Sequence, residues 1–251
     1  MIIGSGTAIP RADRGSPAIA AVIEGRPILF DIGPGTVRQL TRAGIHYERV
    51  ESIFLTHLHP DHTADLIHFL FASRNPAVMK RRSPFTVTGP PGTARLMDAL
   101  QKAYPGWLTL PPGIMGIEEI GLDKNLERDY GDFALITTPT HHTPHSLAYR
   151  VRDREGKTVV YSGDTGYCQE VVELAKGADL LILESSFPDG QACEGHLTPS
   201  LAGQMAALAG VGRLVLVHFY PECLATHVAA QCRRTYDGEL TLGEDLLMLR
   251  V

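Results

Sequence analysis

Short apolar runs, each followed closely by a polar residue, constrain the fold of this chain more than any other feature. Such runs lie at residues 52–55, 180–183 and 214–217, and their length is typical of buried β-strands. Segments with helical spacing of apolar residues, such as 35–43 and 92–103, lie between them. Strands that alternate with helices predict an α/β fold built in layers.

The remaining predicted elements extend this alternation along the chain. Two hairpins are expected from strand pairs at 18–23 and 27–31 and at 146–151 and 158–162, with turn residues between the strands. Further strands are predicted at 85–88 and 133–138, and further helices at 61–72 and 198–209. A length of 251 residues fits a single domain, 1–251, that can bury a full core without disulfides.

Charge and composition narrow the classes of partner. The formal net charge is −5, which does not favour general binding to nucleic acid or to an anionic membrane. The one short basic run, Lys80-Arg81-Arg82, is interpreted as a solvated loop. No apolar stretch approaches the roughly 18 residues of a membrane-spanning helix, and the N-terminus lacks the pattern of a signal peptide. Four cysteines without regular spacing predict free thiols and a cytoplasmic protein.

A dense cluster of potential metal ligands follows the strand at 52–55. His57, His59, Asp61 and His62 lie within six residues, and Pro60 between them cannot continue a strand. A sharp turn here lets these side chains converge on one or two cations. Imidazole suits zinc and other transition metals, and a carboxylate supports a second or harder ion. The segment therefore predicts a metal site rather than a polar turn with incidental histidines.

Further ligands are expected at the carboxyl ends of later strands, where α/β proteins build their sites. The candidates are His141, His142 and His145, then Asp164, and then His218. Asp164 follows Gly163, which permits close approach of the backbone, and a carboxylate there can bridge two cations. A single histidine after an apolar strand, as at His218, is more often a hydrogen-bonded core residue. The choice among the three neighbouring histidines is open at this point.

A series of short segments also matches the motif order of a known superfamily. The segments are Gly4-Ser5-Gly6-Thr7-Ala8-Ile9-Pro10, Asp31-Ile32-Gly33-Pro34-Gly35-Thr36, the 57–62 motif, Gly89-Pro90-Pro91-Gly92-Thr93, residues 142–150, Ser162-Gly163-Asp164-Thr165, Glu184-Ser185-Ser186-Phe187, Gly195-His196-Leu197-Thr198-Pro199 and Val217-His218-Phe219-Tyr220-Pro221. Together they resemble the metallo-β-lactamase-fold hydrolases, in particular the ribonuclease Z and arylsulfatase-like branch. The resemblance covers nearly the whole chain.

The resemblance implies a four-layered αββα sandwich with two metal ions at one edge of its two sheets. In this family one ligand stands seven residues before the Tyr of a Tyr-Arg pair, and that position here is His142. The implied ligands of one ion are His57, His59 and His142, those of the other are Asp61, His62 and His218, and Asp164 bridges both. Zinc is expected, with manganese and iron as alternatives because His and Asp suit all three.

The same resemblance suggests the catalytic groups. Two ions about 3.5–4 Å apart can clamp a phosphoryl group, with a bridging hydroxide as nucleophile. His196 would contact the phosphate and protonate the leaving oxygen, and Glu184 would orient it, although the family's preceding His is replaced by Leu183. Asp61 is counted as a catalytic residue as well as a ligand. Asp31 would support the ligands by hydrogen bonding to an imidazole N–H. A surface histidine, a strand-end carboxylate and a turn aspartate are the plainer readings of His196, Glu184 and Asp31.

The motifs and the resemblance lead to three hypotheses about function. The main hypothesis is a dinuclear metal-dependent hydrolase of a small phosphodiester, or of a sulfate or carboxylic ester. The second is tRNA 3′-end processing, which is not favoured because only 22 positions separate His142 from Asp164 and leave no room for the family's tRNA-binding arm. The third is a metal-stabilised binding or sensor module without turnover. The loop 104–116, with Trp107, is expected to line a pocket mouth or to form a homodimer contact.

Overall fold

The computed structural model describes all 251 residues, and its strands form two sheets. The strands are β1 (Ile2–Gly4), β2 (Ala18–Ile23), β3 (Arg26–Phe30), β4 (Ser52–Phe54), β5 (Phe85–Gly89), β6 (Met115–Glu119), β7 (Leu126–Asp129), β8 (Phe133–Pro139), β9 (Leu147–Asp153), β10 (Thr158–Tyr161), β11 (Leu180–Glu184), β12 (Arg213–Val217) and β13 (Glu239–Leu242). The first sheet has the order β1-β2-β3-β4-β5-β6 and the second β13-β12-β11-β10-β9-β8-β7. Strands β3 to β6 are parallel, as are β10 to β13.

Helices cover the outer face of each sheet. They are α1 (Thr36–Arg42), α2 (Pro60–Thr63), α3 (Asp65–Ser73), α4 (Pro76–Met79), α5 (Thr93–Ala103), α6 (Gln169–Ala175), α7 (Pro199–Ala209), α8 (Pro221–Leu224) and α9 (Val228–Cys232), with a 3₁₀ turn at Tyr47–Arg49. One buried core joins the first sheet to α1, α3 and α5, and another joins the second sheet to α6, α7 and α9. A third core lies between the two sheets. These layers form the predicted αββα sandwich. None of the helices has the length and apolar character needed to span a membrane.

The strand β11 shows why the apolar runs predicted buried strands. Leu180 and Ile182 point into the core between the sheets, whereas Leu181 and Leu183 point into the core beneath the helices. Successive side chains of a strand face opposite ways, so a strand buried on both faces is apolar at every position. The strand then ends on Glu184, at the carboxyl end of the parallel strands β10 to β12.

The segment after the histidine motif differs from the single helix predicted over 61–72. It forms α2 and then α3, with Ala64 between them. The backbone N–H of Asp65 bonds to the carbonyl of Ile32 at 3.1 Å instead of continuing the helical ladder. The Asp65 carboxylate also accepts the N–H of Val37 at 2.7 Å. Contacts with the loop after β3 therefore interrupt the helix.

The basic run was also interpreted wrongly in part. Arg82 is only 6% exposed, and its guanidinium lies 4.5 Å from the ring centre of Phe69 and 4.3 Å from that of Phe85. It donates to the Tyr47 carbonyl at 2.5 Å, and burial lowers its pKa to about 10. Cation–π contacts and a carbonyl partner hold this side chain inside the protein.

The loop 104–116 is partly ordered as a strand, because β6 begins within it and pairs with β5. Its Trp107 is 60% exposed and packs against Phe71 of α3 at 6.1 Å between ring centres. The loop thus adds exposed apolar surface beside α3. The pocket-mouth and homodimer readings of this loop both stay predictions.

Candidate metal centre

Seven histidine and aspartate side chains meet where strands of both sheets end. His57, His59, Asp61 and His62 follow β4, while His142 follows β8, Asp164 follows β10 and His218 follows β12. These are the seven residues that the sequence predicted as ligands. Because the carboxyl ends of the parallel strands lie at one edge, residues more than 150 positions apart become neighbours.

The seven side chains form two groups. In the first, the donor atoms of His57, His59, His142 and Asp164 all lie within 4.8 Å of one another. In the second, those of Asp61, His62 and His218 do the same. Each group is close enough to hold one metal ion.

Asp164 is a member of the first group that also borders the second, and its two oxygens face different groups. Oδ2 is 3.9 Å from Nε2 of His57 and 3.6 Å from Nε2 of His142. Oδ1 is 3.2 Å from Nε2 of His62 and 3.3 Å from Nε2 of His218. This is the arrangement in which one carboxylate can ligate two ions at once.

Buried ring nitrogens and a carboxylate oxygen without hydrogen-bond partners indicate that the cluster fits two metal ions. Nε2 of His57, His62 and His218, and Oδ1 of Asp164, are buried without a hydrogen-bond partner. Buried polar atoms are rarely left unpaired because desolvation makes this costly. Burial and the nearby charge of His62 hold the pKa of His57 well below its ordinary value, which favours the neutral imidazole that metals bind. Burial raises the pKa of Asp164, but the charges of His218 and His62 outweigh this and hold it well below the usual range.

Asp31 is hydrogen-bonded to one of the predicted ligands, His62. It follows β3 with a left-handed backbone, φ 59°, and is fully buried. Its Oδ2 lies 2.7 Å from Nδ1 of His62, and its carboxylate also accepts the Thr56 hydroxyl and the Tyr161 hydroxyl at 2.9 and 3.0 Å. If Nδ1 of His62 carries its proton toward Asp31, Nε2 is free to face the ion site. The geometry agrees with the supporting role expected for Asp31.

Glu184 and His196 form a hydrogen-bonded pair beside the cluster. Nδ1 of His196 lies 2.8 Å from Oε1 of Glu184, and Glu184 is 1% exposed. Backbone N–H groups of Thr165 and Leu197 also donate to this carboxylate, at 2.9 and 3.1 Å. Donor atoms of His196, Asp164 and His218 lie within 4.8 Å of one another, so His196 faces the ion sites.

Ser186 connects this pair to a predicted ligand, and sequence reasoning missed it. Its hydroxyl donates to Oε2 of Glu184 at 2.6 Å and therefore accepts from Nδ1 of His218 at 2.9 Å. The hydroxyl thus fixes the tautomer in which Nε2 of His218 faces the ion site. Thr56, between Asp31 and His57, was missed in the same way, since it lies 3.0 Å from Nδ1 of His57. The available signal was a hydroxyl residue next to, or within two positions of, a candidate site residue.

Replacing Ser186 by alanine is expected to weaken binding of an ion at the Asp61–His62–His218 group about 10- to 100-fold. The substitution leaves Nδ1–H of His218 buried without its acceptor. Affinity is measured by titrating metal-free protein with Zn²⁺ against a chromophoric chelator.

The matched control for this measurement is Ser185→Ala. Ser185 is equally buried, but its hydroxyl has no hydrogen-bond partner, so its removal should leave Zn²⁺ affinity unchanged. Equal affinities for the two variants would contradict the role assigned to Ser186.

Two glycines allow the loops to approach one another around the cluster. A Cβ on Gly33 would collide with the backbone carbonyl of Asp61. Gly163 has φ 57°, and a Cβ there would lie 2.6 Å from Cβ of Thr56. Larger residues at either position would push apart the loops that carry Asp61 and Asp164.

The sequence model of the Beta-lactamase superfamily domain matches residues 26–219 of this chain. The chain belongs to the beta-lactamase superfamily. It is a hydrolase of the metallo-β-lactamase fold, as the motif order predicted. The matched range includes every residue of the two ligand groups.

Individual relatives agree with this family assignment. The chain is 30% identical to ribonuclease Z of Methanothermobacter thermautotrophicus, over 99% of this chain and 95% of the relative. That alignment spans 300 positions, so the relative contains residues without a counterpart among the 251 of this chain. The structure of human tRNase Z, short form, has a TM-score of 0.79 at 27% identity, covering 98% of this chain and 96% of that one. The metallo-β-lactamase fold protein YhfI from Bacillus subtilis has a TM-score of 0.83 at 22% identity, covering 97% and 95%.

Proposed function

We propose that this chain is a dinuclear metal-dependent phosphodiesterase acting on small phosphodiesters. The observation that carries the proposal is the position of Asp164 between two ligand groups, with the Glu184–His196 pair beside it. Two metal ions that bind the phosphate and an acid that protonates the departing oxygen are groups that catalyse phosphodiester hydrolysis. The free cysteines suit a reducing cytoplasm, where we propose that the protein acts as one domain, 1–251.

In this proposal His57, His59 and His142 would hold one ion, Asp61, His62 and His218 would hold the other, and Asp164 would serve both. Zinc is the proposed metal because imidazole nitrogens dominate the donor set. The ions supply Lewis acidity and activate water as a nucleophile. Three other residues of the chain would orient the ligands by hydrogen bonding. Asp31 bonds to His62, Thr56 to His57 and Ser186 to His218.

His196 is the proposed acid. Hydrolysis replaces the P–O bond to the departing alcohol by a P–O bond from water, and the departing oxygen needs a proton. Burial lowers the pKa of His196, but its hydrogen bond to Glu184 and the charge of that carboxylate outweigh burial and raise it above the ordinary value. A raised pKa favours the protonated imidazole, which is the form that can donate a proton to the departing oxygen. Glu184 acts through His196 as a positioning residue.

The preference for a small substrate rests on the segment between His142 and Asp164. Strands β9 and β10 fill it, joined only by a tight turn after Asp153, in which the backbone N–H groups of Glu155 and Lys157 donate to the Asp153 carboxylate at 2.9 and 2.8 Å. No protruding arm leaves the fold here. The formal net charge of −5 adds no general attraction for tRNA.

Processing of tRNA 3′ ends is the second candidate, and the named relatives favour it. The curated relatives at about 30% identity carry the name ribonuclease Z. Under this candidate the same ligands and the same acid would cleave a phosphodiester of precursor tRNA. The two candidates differ in what binds outside the metal centre.

One panel of substrates separates the candidates. Protein purified, stripped of metal and reloaded with Zn²⁺ is assayed on bis-p-nitrophenyl phosphate, on a phosphomonoester, a sulfate ester, a lactone and a thioester, and on 3′-extended precursor tRNA. We expect turnover of the phosphodiester and no discrete tRNA cleavage product. Cleavage of precursor tRNA at one position would favour the second candidate. Absence of turnover on every substrate would favour a binding or sensor module.

A further inference from the structure

Two aromatic side chains beside the metal centre have no role in ligand binding or in proton transfer. Phe187 follows Ser186, and Tyr220 lies two residues after His218. Their rings stack with centres 4.8 Å apart and planes 14° apart. Both side chains are partly exposed, and neither belongs to any of the three cores. We call this stacked pair the aromatic wall.

The aromatic wall borders the proposed acid. The ring centre of Phe187 lies 5.7 Å from that of His196, with 65° between the planes. The ring of Tyr220 lies 6.2 Å from His196 at 75° and 5.9 Å from His218 at 75°. The wall therefore stands beside His196 on the side of the Asp61–His62–His218 group.

The position of the acid decides which part of a substrate meets this wall. An acid must lie within hydrogen-bond reach of the oxygen that it protonates. With a phosphate at the ligand groups, the oxygen nearest His196 belongs to the departing alcohol, and the rest of that alcohol extends past His196. Phe187 and Tyr220 are the aromatic surfaces at that place.

Building on the proposed function, we propose that Phe187 and Tyr220 form a subsite for the departing alcohol. The substrate class is then phosphodiesters whose departing alcohol carries a flat aromatic ring, such as a nucleobase. Stacking on aromatic side chains accepts any base, because every base presents a π-face. The wall thus selects for a ring without reading its identity.

The test compares substrates that share one leaving oxygen and differ only in a base. The set is thymidylyl-(3′→5′)-thymidine and two analogues, each lacking one of the two thymines. The departing nucleoside is the one released without the phosphate. For Zn²⁺-loaded protein we expect removal of its base to lower kcat/KM by about 10- to 100-fold. Removal of the other base should have a much smaller effect. Equal kcat/KM for all three substrates would overturn the inference.

Variants locate the selectivity in the aromatic wall. Phe187→Leu and Tyr220→Leu keep apolar bulk without a π-face. In each variant, the ratio of kcat/KM for the parent substrate to kcat/KM for the analogue without the base on the departing nucleoside should fall toward one. Tyr220→Phe keeps the ring and should keep the ratio. Phe71→Leu, an exposed aromatic on α3, is the control for aromatic loss elsewhere. Undiminished ratios in both leucine variants at full zinc content would contradict the inference.

A binding measurement requires neither turnover nor a variant. Calorimetric titration of Zn²⁺-loaded wild-type protein compares thymidine 5′-monophosphate with 2-deoxyribose 5-phosphate, which has the same phosphate and no base. We expect tighter binding of the nucleotide by about 10-fold or more, and equal affinities would count against the wall. If bis-p-nitrophenyl phosphate is turned over but the dinucleotide and its two analogues have equal kcat/KM, this inference alone is contradicted. No turnover of any phosphodiester would remove the proposed function and the inference with it.

Discussion

Replacing His196 with alanine is expected to lower phosphodiester turnover by roughly 10²–10⁴-fold while both ions stay bound. The departing oxygen loses its proton donor, whereas the two ligand groups do not include this imidazole. The loss should be smaller for bis-p-nitrophenyl phosphate than for a dinucleoside monophosphate, because p-nitrophenolate departs readily without a proton. Initial rates on both substrates, with zinc content measured on the same samples, check the prediction.

His227→Ala is the matched control for His196→Ala. His227 is exposed and makes no capping hydrogen bond at the start of α9, so its loss should leave both rates unchanged. Unchanged turnover of both substrates in zinc-replete His196→Ala would remove this residue from the mechanism. Equal losses on the two substrates would point to a structural role instead of proton donation.

The pH profile tests whether Glu184 acts through His196. His196 donates only when protonated, so kcat/KM falls as pH rises through the pKa of His196 in the free enzyme. Glu184→Gln removes the charge that raises this pKa and is expected to move the alkaline limb of the profile to lower pH. Rates from pH 5 to pH 10 at saturating Zn²⁺ measure the shift. If the alkaline limb does not move, Glu184 does not act through His196.

Zinc-loaded and desalted protein is expected to carry two ions per chain, and Asp164→Asn fewer than two. An asparagine has no charge and offers one carbonyl oxygen in place of two carboxylate oxygens, so it cannot serve both groups. Turnover in Asp164→Asn should fall by more than about 100-fold, the upper range for losing an outer hydrogen-bond partner of a ligand. Elemental analysis and rates on the same samples measure both effects. At most one ion in the wild-type protein would contradict the bridging role of Asp164.

Thermal unfolding gives an independent readout of the same prediction. Zn²⁺ at 100 times the Kd of a site stabilises the folded protein by about 2.7 kcal/mol for each ion bound, which raises Tm by roughly 5–10 °C per ion for a chain of this size. Asp164→Asn should show a smaller rise. Asp98→Asn, which removes an exposed carboxylate of α5, should behave as the wild type.

The elements that sequence patterns predicted well are those buried on both faces. Residues 180–183 and 214–217 were expected as strands, and they lie in β11 and β12. The strands β7 and β13 were not predicted, because they are edge strands with polar and partly exposed side chains. Their position depends on pairing with a neighbour, which a local pattern does not contain.

The sequence by itself determined the family, the αββα fold and the residue types of the candidate metal centre. A motif with four ligand-type residues in six positions is rare enough to be read locally, and the order of the other motifs identified the superfamily. Only the tertiary structure decided which atoms face one another. The two oxygens of Asp164 point to different ligand groups, and the Ser186 hydroxyl bonds both to Glu184 and to His218, which lies 32 positions after Ser186. Hydrogen bonds and ligand directions of this kind depend on distances between strand ends, and the packing of the two sheets sets those distances.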